Sequence, residues 1–168
     1  MWFKKEKFAI GGLREMGFKP NTDILMLLSS QGRGIFDCIK AEKIERDSYD
    51  YYMEEWDEKT RIVQGFGKFK DEVFICGGFE AKDPIKKETK DGWKIKIKQE
   101  TRLDYRKVMK EAEVMYLVNN DKRIEIDVFH YGIDRAYGFS DTGNSFVLGI
   151  SSDLYIWSRS KHIQYQEI

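Results

Sequence analysis

Gly138-Phe139-Ser140-Asp141-Thr142-Gly143-Asn144-Ser145-Phe146-Val147-Leu148-Gly149-Ile150-Ser151-Ser152 repeats, near the C-terminus, the order of residue types in Gly17-Phe18-Lys19-Pro20-Asn21-Thr22-Asp23-Ile24-Leu25-Met26-Leu27-Leu28-Ser29-Ser30. Each copy reads as a Gly-Phe strand end, a turn rich in Pro, Asn, Asp or Gly, an apolar strand, and a small Ser-Ser pair that permits a second tight turn. A weaker third copy starts at Gly65-Phe66, passes through Asp71-Glu72 into Val73-Phe74-Ile75-Cys76, and ends at Gly77-Gly78. The fold decision follows from these segments, because apolar runs this short between turn signals are strands rather than helices.

After the Ser-Ser pair the first and last copies enter another strand, at Gly34 to Ile39 and at Leu154 to Ser158. The unit is therefore an antiparallel meander of three strands. Such units resemble blades of a β-propeller, with Ile35 to Asp37 and Tyr155 to Trp157 where that repeat family keeps its outer aromatic strand. The copies begin at 17, 65 and 138, spacings of 48 and 73. A regular closed array keeps one period of roughly 40 to 50 residues, so a complete propeller is not expected. The fold class predicted is mainly β, antiparallel meanders with propeller-blade-like hairpin units and at most one or two short helices, in one domain spanning 1–168.

The remaining strands are read from alternation. Trp93 to Lys98 alternates strictly, with Trp93, Ile95 and Ile97 on one face and Lys94, Lys96 and Lys98 on the other. Lysines on an outward face discourage edge-to-edge pairing, and that role is preferred to phosphate binding. Val114 to Val118, the turn Asn119-Asn120-Asp121 and Arg123 to Tyr131 predict a hairpin in which Ile124, Ile126, Val128 and His130 point one way. Two stretches are candidates for helix: Asp104 to Glu113, where Tyr105, Met109 and Ala112 share a helical face, and Phe8 to Met16.

The 168 residues suffice to bury roughly 70% of the surface of the unfolded chain. Cys38 and Cys76 lie far apart inside apolar runs and read as small buried thiols, not as a disulfide or zinc framework. The opening Met1-Trp2-Phe3-Lys4-Lys5-Glu6-Lys7 is not a signal peptide, and no run approaches the ~18 apolar residues of a membrane span. A cytoplasmic protein without a membrane partner is the expectation. Lys plus Arg equal Asp plus Glu at 29 each, which disfavours a strongly basic nucleic-acid binder, so direct nucleic-acid binding is not expected. Charge is segregated instead: between Lys82 and Arg102 eight basic residues outnumber four acidic ones.

The chain carries two histidines, His130 and His162, neither with a partner at metal-ligand spacing. Asp127 and His130, three apart on a strand, face opposite sides and form no local acid-base pair. Ser29-Ser30 and Ser151-Ser152 lie in no nucleophile elbow. Gln31-Gly32-Arg33-Gly34 lacks the Lys, the Ser/Thr and the helix of a phosphate-binding loop, and reads as a β-turn carrying an exposed Arg. No enzyme activity, cofactor or metal is predicted.

The segment with most to say about function runs from Asp47 to Glu58. It places Asp47, Asp50, Glu54, Glu55, Asp57 and Glu58 among Tyr49, Tyr51, Tyr52 and Trp56, with no basic residue inside it. Carboxylates occupy the places where a nucleic-acid-binding protein expects phosphates, and exposed Tyr and Trp are preferred anchors of protein interfaces. These ten residues are the predicted partner-binding site, set against the commoner alternative of a solvated acidic loop whose rings tuck back onto the core.

Two segments, Ser29 to Asp47 and Arg135 to Trp157, about a quarter of the chain, resemble those of small bacterial proteins in toxin-immunity pairs. The nearest likeness is to the immunity proteins of contact-dependent growth inhibition systems, of the type paired with EndoU-like RNase toxins. The resemblance implies a cytoplasmic, non-catalytic protein that binds a cognate basic nuclease and covers its active-site cleft. It transfers no binding residues. The alternative from the residues alone is a small-ligand module that recognises a carbohydrate or peptide on exposed rings such as Trp56 and Trp93.

Overall fold

The computed structural model describes residues 1–49, 59–79, 84–129 and 133–159. It is built of antiparallel strands in three sheets. The largest is formed by β2 (Leu13–Phe18), β3 (Ile24–Ser29), β4 (Gly32–Asp37), β5 (Glu42–Asp47), β6 (Ile62–Gln64) and β7 (Val73–Gly78), in the spatial order β5-β4-β3-β2-β7-β6. A three-stranded sheet contains β8 (Lys94–Leu103), β9 (Met109–Asn119) and β10 (Lys122–Phe129), with β9 central. The third sheet joins β1 (Phe3–Ala9) to β11 (Arg135–Phe139), β12 (Ser145–Ile150) and β13 (Asp153–Ser158) in the order β1-β13-β12-β11.

The sheets stack face to face, with the four-stranded sheet in the middle. Strand β12 shows why. Val147 packs with Leu13, Met16, Phe18, Leu25, Leu27 and Phe36 of the large sheet, while its neighbours Phe146 and Leu148 pack with Met115 and Leu117 of the three-stranded sheet and with Trp93 just before it. A strand buried on both faces has no use for polar alternation, which is the physical reason Phe146 to Ile150 is continuously apolar. Gly149 belongs to the same logic, since a Cβ there would meet Leu13 Cδ2 at 2.6 Å. Strand β3 is used likewise: Leu25 and Leu27 face the middle sheet, and Met26 and Leu28 face a third cluster with Ile35, Val63, Phe66, Phe74 and Cys76. That cluster lies inside the curl of the large sheet, whose two edges approach each other where the backbone N–H of Lys68, just beyond β6, reaches Glu45 of β5 at 3.3 Å.

The first and last sequence copies are three-strand meanders, β2-β3-β4 and β11-β12-β13, as their turn chemistry predicts. The third copy stops short: β6 and β7 form a hairpin, but β7 pairs with β2 and no third strand follows it in the sheet. The two complete meanders are also joined to each other at their turns. Asp23 Oδ1 accepts hydrogen bonds from Ser140 Oγ at 2.7 Å and Ser145 Oγ at 2.7 Å, and Thr142 Oγ1 reaches both carboxylate oxygens at 2.9 and 2.8 Å. Beside them the backbone N–H of Asn21 donates to Asp141 Oδ2 at 2.8 Å, and Lys86 pairs with the same carboxylate at 2.6 Å.

Neither predicted helix forms. Phe8 to Met16 is divided between β1 and β2, and Asp104 to Glu113 supplies a tight turn and the start of β9. Among the described residues the helical content is one 3-10 turn, Gly67–Phe69. The good helix formers of Met109 to Glu113 are overridden by a ten-residue antiparallel ladder with β8, from Lys94↔Val118 to Leu103↔Met109. The second predicted hairpin is present, with a two-residue turn at Asn120-Asp121, but a bulge between Glu125 and Asp127 changes its phase. Phe129, rather than Val128, is therefore the buried residue at its end. His130 lies outside the described residues, as does His162.

Candidate docking surface

The acidic, ring-bearing segment leaves the large sheet at the end of β5, and that exit is built with care. Arg33 on β4 lies directly across from Asp47 in the strand register. Its Nε lies 3.1 Å from both Asp47 carboxylate oxygens and a second nitrogen bonds Oδ2, a bidentate pair. The guanidinium is held between two rings, 4.7 Å from the centroid of Tyr49 and 4.4 Å from that of Phe66. Tyr49 in turn donates its backbone N–H to Asp47 Oδ1 at 3.3 Å. The sequence reading of Arg33 as an exposed turn residue is thus corrected: its side chain is 14% exposed.

The preceding turn permits this arrangement. Ser29 Oγ donates to the carbonyl of Gly32 at 2.9 Å and accepts the N–H of Gln31 at 3.2 Å. Gly32 has φ +113°, and a Cβ there would fall 2.1 Å from the Asp47 carbonyl oxygen. Only glycine combines that backbone with so close an approach of the end of β5.

Of the ten predicted partner-binding residues, Asp47 and Tyr49 fall within the described structure. Asp47 is not available as a free anion, because Arg33 neutralises it. The expectation of a wholly unneutralised run fails at this first carboxylate, whose partner lies 14 residues back across the β4–β5 turn. Tyr49 is 45% exposed and keeps one ring face on Arg33. Asp50, Tyr51, Tyr52, Glu54, Glu55, Trp56, Asp57 and Glu58 lie outside the described residues. Their chain must lead from β5 to β6, the two edge strands of the large sheet.

Beside Arg33 a shallow cleft of about 120 Å³ is lined by residues including Ile10, Gln31, Lys43 and Arg46. A second of about 120 Å³ lies near Phe18, Ile85 and Asp141. Ligand pockets generally measure at least about 300 Å³, so these clefts suit a few waters better than a sugar or peptide. Trp93, named as an exposed ring for such a ligand, is instead buried at 6% exposure against Trp2 and Arg159. Among the described residues no group of three or more His, Cys, Asp or Glu is placed to hold a metal ion. Asp127 is occupied locally, its Oδ1 accepting the N–H of Val128 at 2.8 Å. Cys38 and Cys76 are fully buried free thiols, and burial pushes both well above the ordinary thiol range. Among the described residues no helix is long and apolar enough to cross a membrane.

The sequence reading missed the Arg33 clamp, although one signal was legible: Arg33 and Asp47 are placed for cross-strand pairing once β4 and β5 are recognised as a hairpin. No protein-family model, curated protein or solved structure matches the chain.

Proposed function

We propose that this protein is a non-catalytic immunity protein that binds and neutralises a cognate basic RNase toxin in the cytoplasm, using the acidic and aromatic segment from Asp47 to Glu58. The observation that carries the reading is the clamp at the exit of that segment. A bidentate Arg33–Asp47 pair, stacked between Tyr49 and Phe66, fixes the point at which five further carboxylates and three further rings begin. A nuclease presents cations to the phosphates of its substrate. Carboxylates compete for those cations, and flat rings add the desolvated contacts that dominate protein interfaces.

In this arrangement Asp47 and Tyr49 have different work from the residues after them. Asp47 anchors the segment, Tyr49 marks the rim, and the remaining acids steer a positively charged partner toward Tyr51, Tyr52 and Trp56. The test takes as candidate partner a toxic C-terminal domain sought in the neighbouring gene, and measures its inhibition by this chain as cleavage of a labelled RNA. The wild-type chain inhibits at one equivalent; a variant carrying Asp50→Asn, Glu54→Gln, Glu55→Gln and Asp57→Asn inhibits far more weakly and with a flatter salt dependence. Equal inhibition by the two proteins refutes the assignment of the surface.

A further inference from the structure

The β8–β9 hairpin ends in a feature that the toxin-neutralising reading does not use. Leu103 and Met109 face each other as the last pair of the ladder, and with Tyr105 and Val108 they crowd the tip. The exposures of Leu103, Met109, Tyr105 and Val108 are 61%, 58%, 84% and 50% respectively. None of the four belongs to a core cluster, whereas Ile95 and Leu117 lower on the same hairpin pack with Trp2, Trp93 and Phe129. The apolar packing of the hairpin ends at Ala112, 2% exposed and paired with Glu100, and the three residues of strand from Glu100 to Leu103, at about 3.4 Å each, put the tip roughly 10 Å beyond it.

The tip is held in shape while its apolar side chains stay uncovered. Asp104 is the organiser. Its Oδ1 accepts the N–H groups of Arg106 at 2.8 Å and Val108 at 3.1 Å, and Oδ2 lies 2.9 Å from the Lys110 ammonium. The backbone closes the turn, with Asp104 N–H on the Val108 carbonyl and Lys107 N–H on the Asp104 carbonyl, both at 2.9 Å. Lys107 sits at φ +60°, where glycine or asparagine is the easier choice. With Asp104 engaged by Lys110, the charges left at the very end are Arg106 and Lys107, and no acidic partner is found for either among the described residues.

A convex end bearing four large apolar groups and two cations without an acidic partner, Arg106 lying 5.1 Å from the centroid of the Tyr105 ring, offers no groove for a peptide. It has the composition of an element that enters the headgroup region of an anionic bilayer, where apolar residues and an amphipathic Tyr insert and Arg and Lys meet lipid phosphates. We propose that the Leu103–Met109 tip is a peripheral docking element for anionic lipid surfaces. The proposal stands on the hairpin alone and is independent of the toxin-neutralising surface.

The test is co-sedimentation of the full chain with vesicles containing equal parts phosphatidylglycerol and phosphatidylcholine, and with vesicles of phosphatidylcholine only, at low salt. The chain is expected to pellet with the first, to pellet much less with the second, and to be released by added salt. Arg106→Glu with Lys107→Glu, and separately Tyr105→Ser with Met109→Ser, are each expected to reduce the bound fraction about tenfold. Lys68→Glu, a charge change at another exposed position, is expected to leave binding near wild type. A Tyr105→Trp variant, whose added fluorescence over wild type shifts to the blue on the anionic vesicles, reports insertion without relying on loss of function. The proposal is overturned by a wild-type chain that stays in the supernatant, by tip variants that bind like wild type, by equal loss in Lys68→Glu, or by an added emission in Tyr105→Trp that does not shift. Failure to bind vesicles, together with tip-dependent binding of a protein, would identify the tip as a protein contact and would equally refute it.

Discussion

Replacing Asp23 by alanine removes the carboxylate that ties the turns of the two repeated meanders together. Three hydroxyls converge on this carboxylate, those of Ser140 and Ser145 at 2.7 Å each and that of Thr142 at 2.8 Å. Ser140 and Ser145 are 1% and 0% exposed, so water does not replace the lost acceptor easily. A hydrogen bond to a charged group contributes about 1.5–3 kcal/mol, and a buried hydroxyl stripped of its partner costs about 1–3 kcal/mol. Three bonds sharing one carboxylate do not add in full; Ser140 Oγ also keeps the N–H of Ser145 at 3.2 Å. The expected cost of Asp23→Ala is therefore about 3–4 kcal/mol. Asp23→Asn keeps one acceptor oxygen and is expected to cost about 1.5 kcal/mol, and Thr142→Ala, at the exposed rim, less than about 1 kcal/mol.

Urea unfolding reads these differences directly, as a lower midpoint at unchanged slope. For a chain of this size, 1 kcal/mol corresponds to a fall of about 2–4 °C in Tm, so Asp23→Ala is expected to melt roughly 6–16 °C below wild type. A double-mutant cycle of Asp23→Ala with Ser145→Ala is expected to return a coupling of about 1–2 kcal/mol. An Asp23→Ala protein within about 0.5 kcal/mol of wild type, or a coupling near zero, would refute the view that this carboxylate joins the two meanders.

Other expectations follow from the same structure. Arg33→Ala strips Asp47 of its bidentate partner and two rings of a shared cation, and is expected to cost about 2 kcal/mol in urea unfolding; Arg33→Lys recovers only part of it, because an ammonium cannot make the forked contact. Arg159 holds Asp91 through two hydrogen bonds of 2.6 and 2.9 Å and draws its carboxyl from 3.8 down to about 2. A carboxyl lowered in the folded state contributes stability above its ordinary pKa and loses that contribution as pH falls from about 3.8 through 2. Asp91 is more than half exposed, so the pair is screened and contributes about 0.5–1 kcal/mol. The part of the stability difference between wild type and Asp91→Asn that is due to this pair should be present at neutral pH and disappear by about pH 2. Cys38 and Cys76 are fully buried, so their alkylation by iodoacetamide is expected to follow global unfolding, and fast modification of the native protein would contradict their placement.

Much of the fold was legible where turn chemistry and burial reinforce each other. The Gly-Phe, turn, apolar strand and Ser-Ser order specifies β2-β3-β4 and β11-β12-β13, and the apolar runs at Ile24 and Phe146 were legible as strands, although only the packing shows that both of their faces are covered. What escaped the sequence escaped for identifiable reasons. The bulge between Lys4 and Glu6 brings Phe3 and Phe8, five residues apart, onto one face opposite Ser158 and Leu154, so β1 does not show a period of two and its closure of the C-terminal sheet was invisible. Strand β5 is an edge strand of mostly charged residues, with little apolar pattern to read. At Met109 to Glu113 local propensity favours helix, and only pairing with β8 overrides it. The function was least legible. The sequence marked the Asp47 to Glu58 segment as unusual, yet the residue that fixes where it begins, Arg33, became visible only through the cross-strand register.

The carboxylates and rings that follow the Arg33 clamp are proposed to bind a basic nuclease. Isothermal titration of this chain against a candidate RNase toxin domain, sought in the neighbouring gene, decides this at low and physiological salt, with wild type, the fourfold Asp50, Glu54, Glu55 and Asp57 neutralised variant, and Trp56→Ala. Tight one-to-one binding is expected, weakened and made less salt-dependent by neutralising the acids, and weakened by at least about 2 kcal/mol in Trp56→Ala. Wild-type affinity and salt dependence in both variants would contradict the claim.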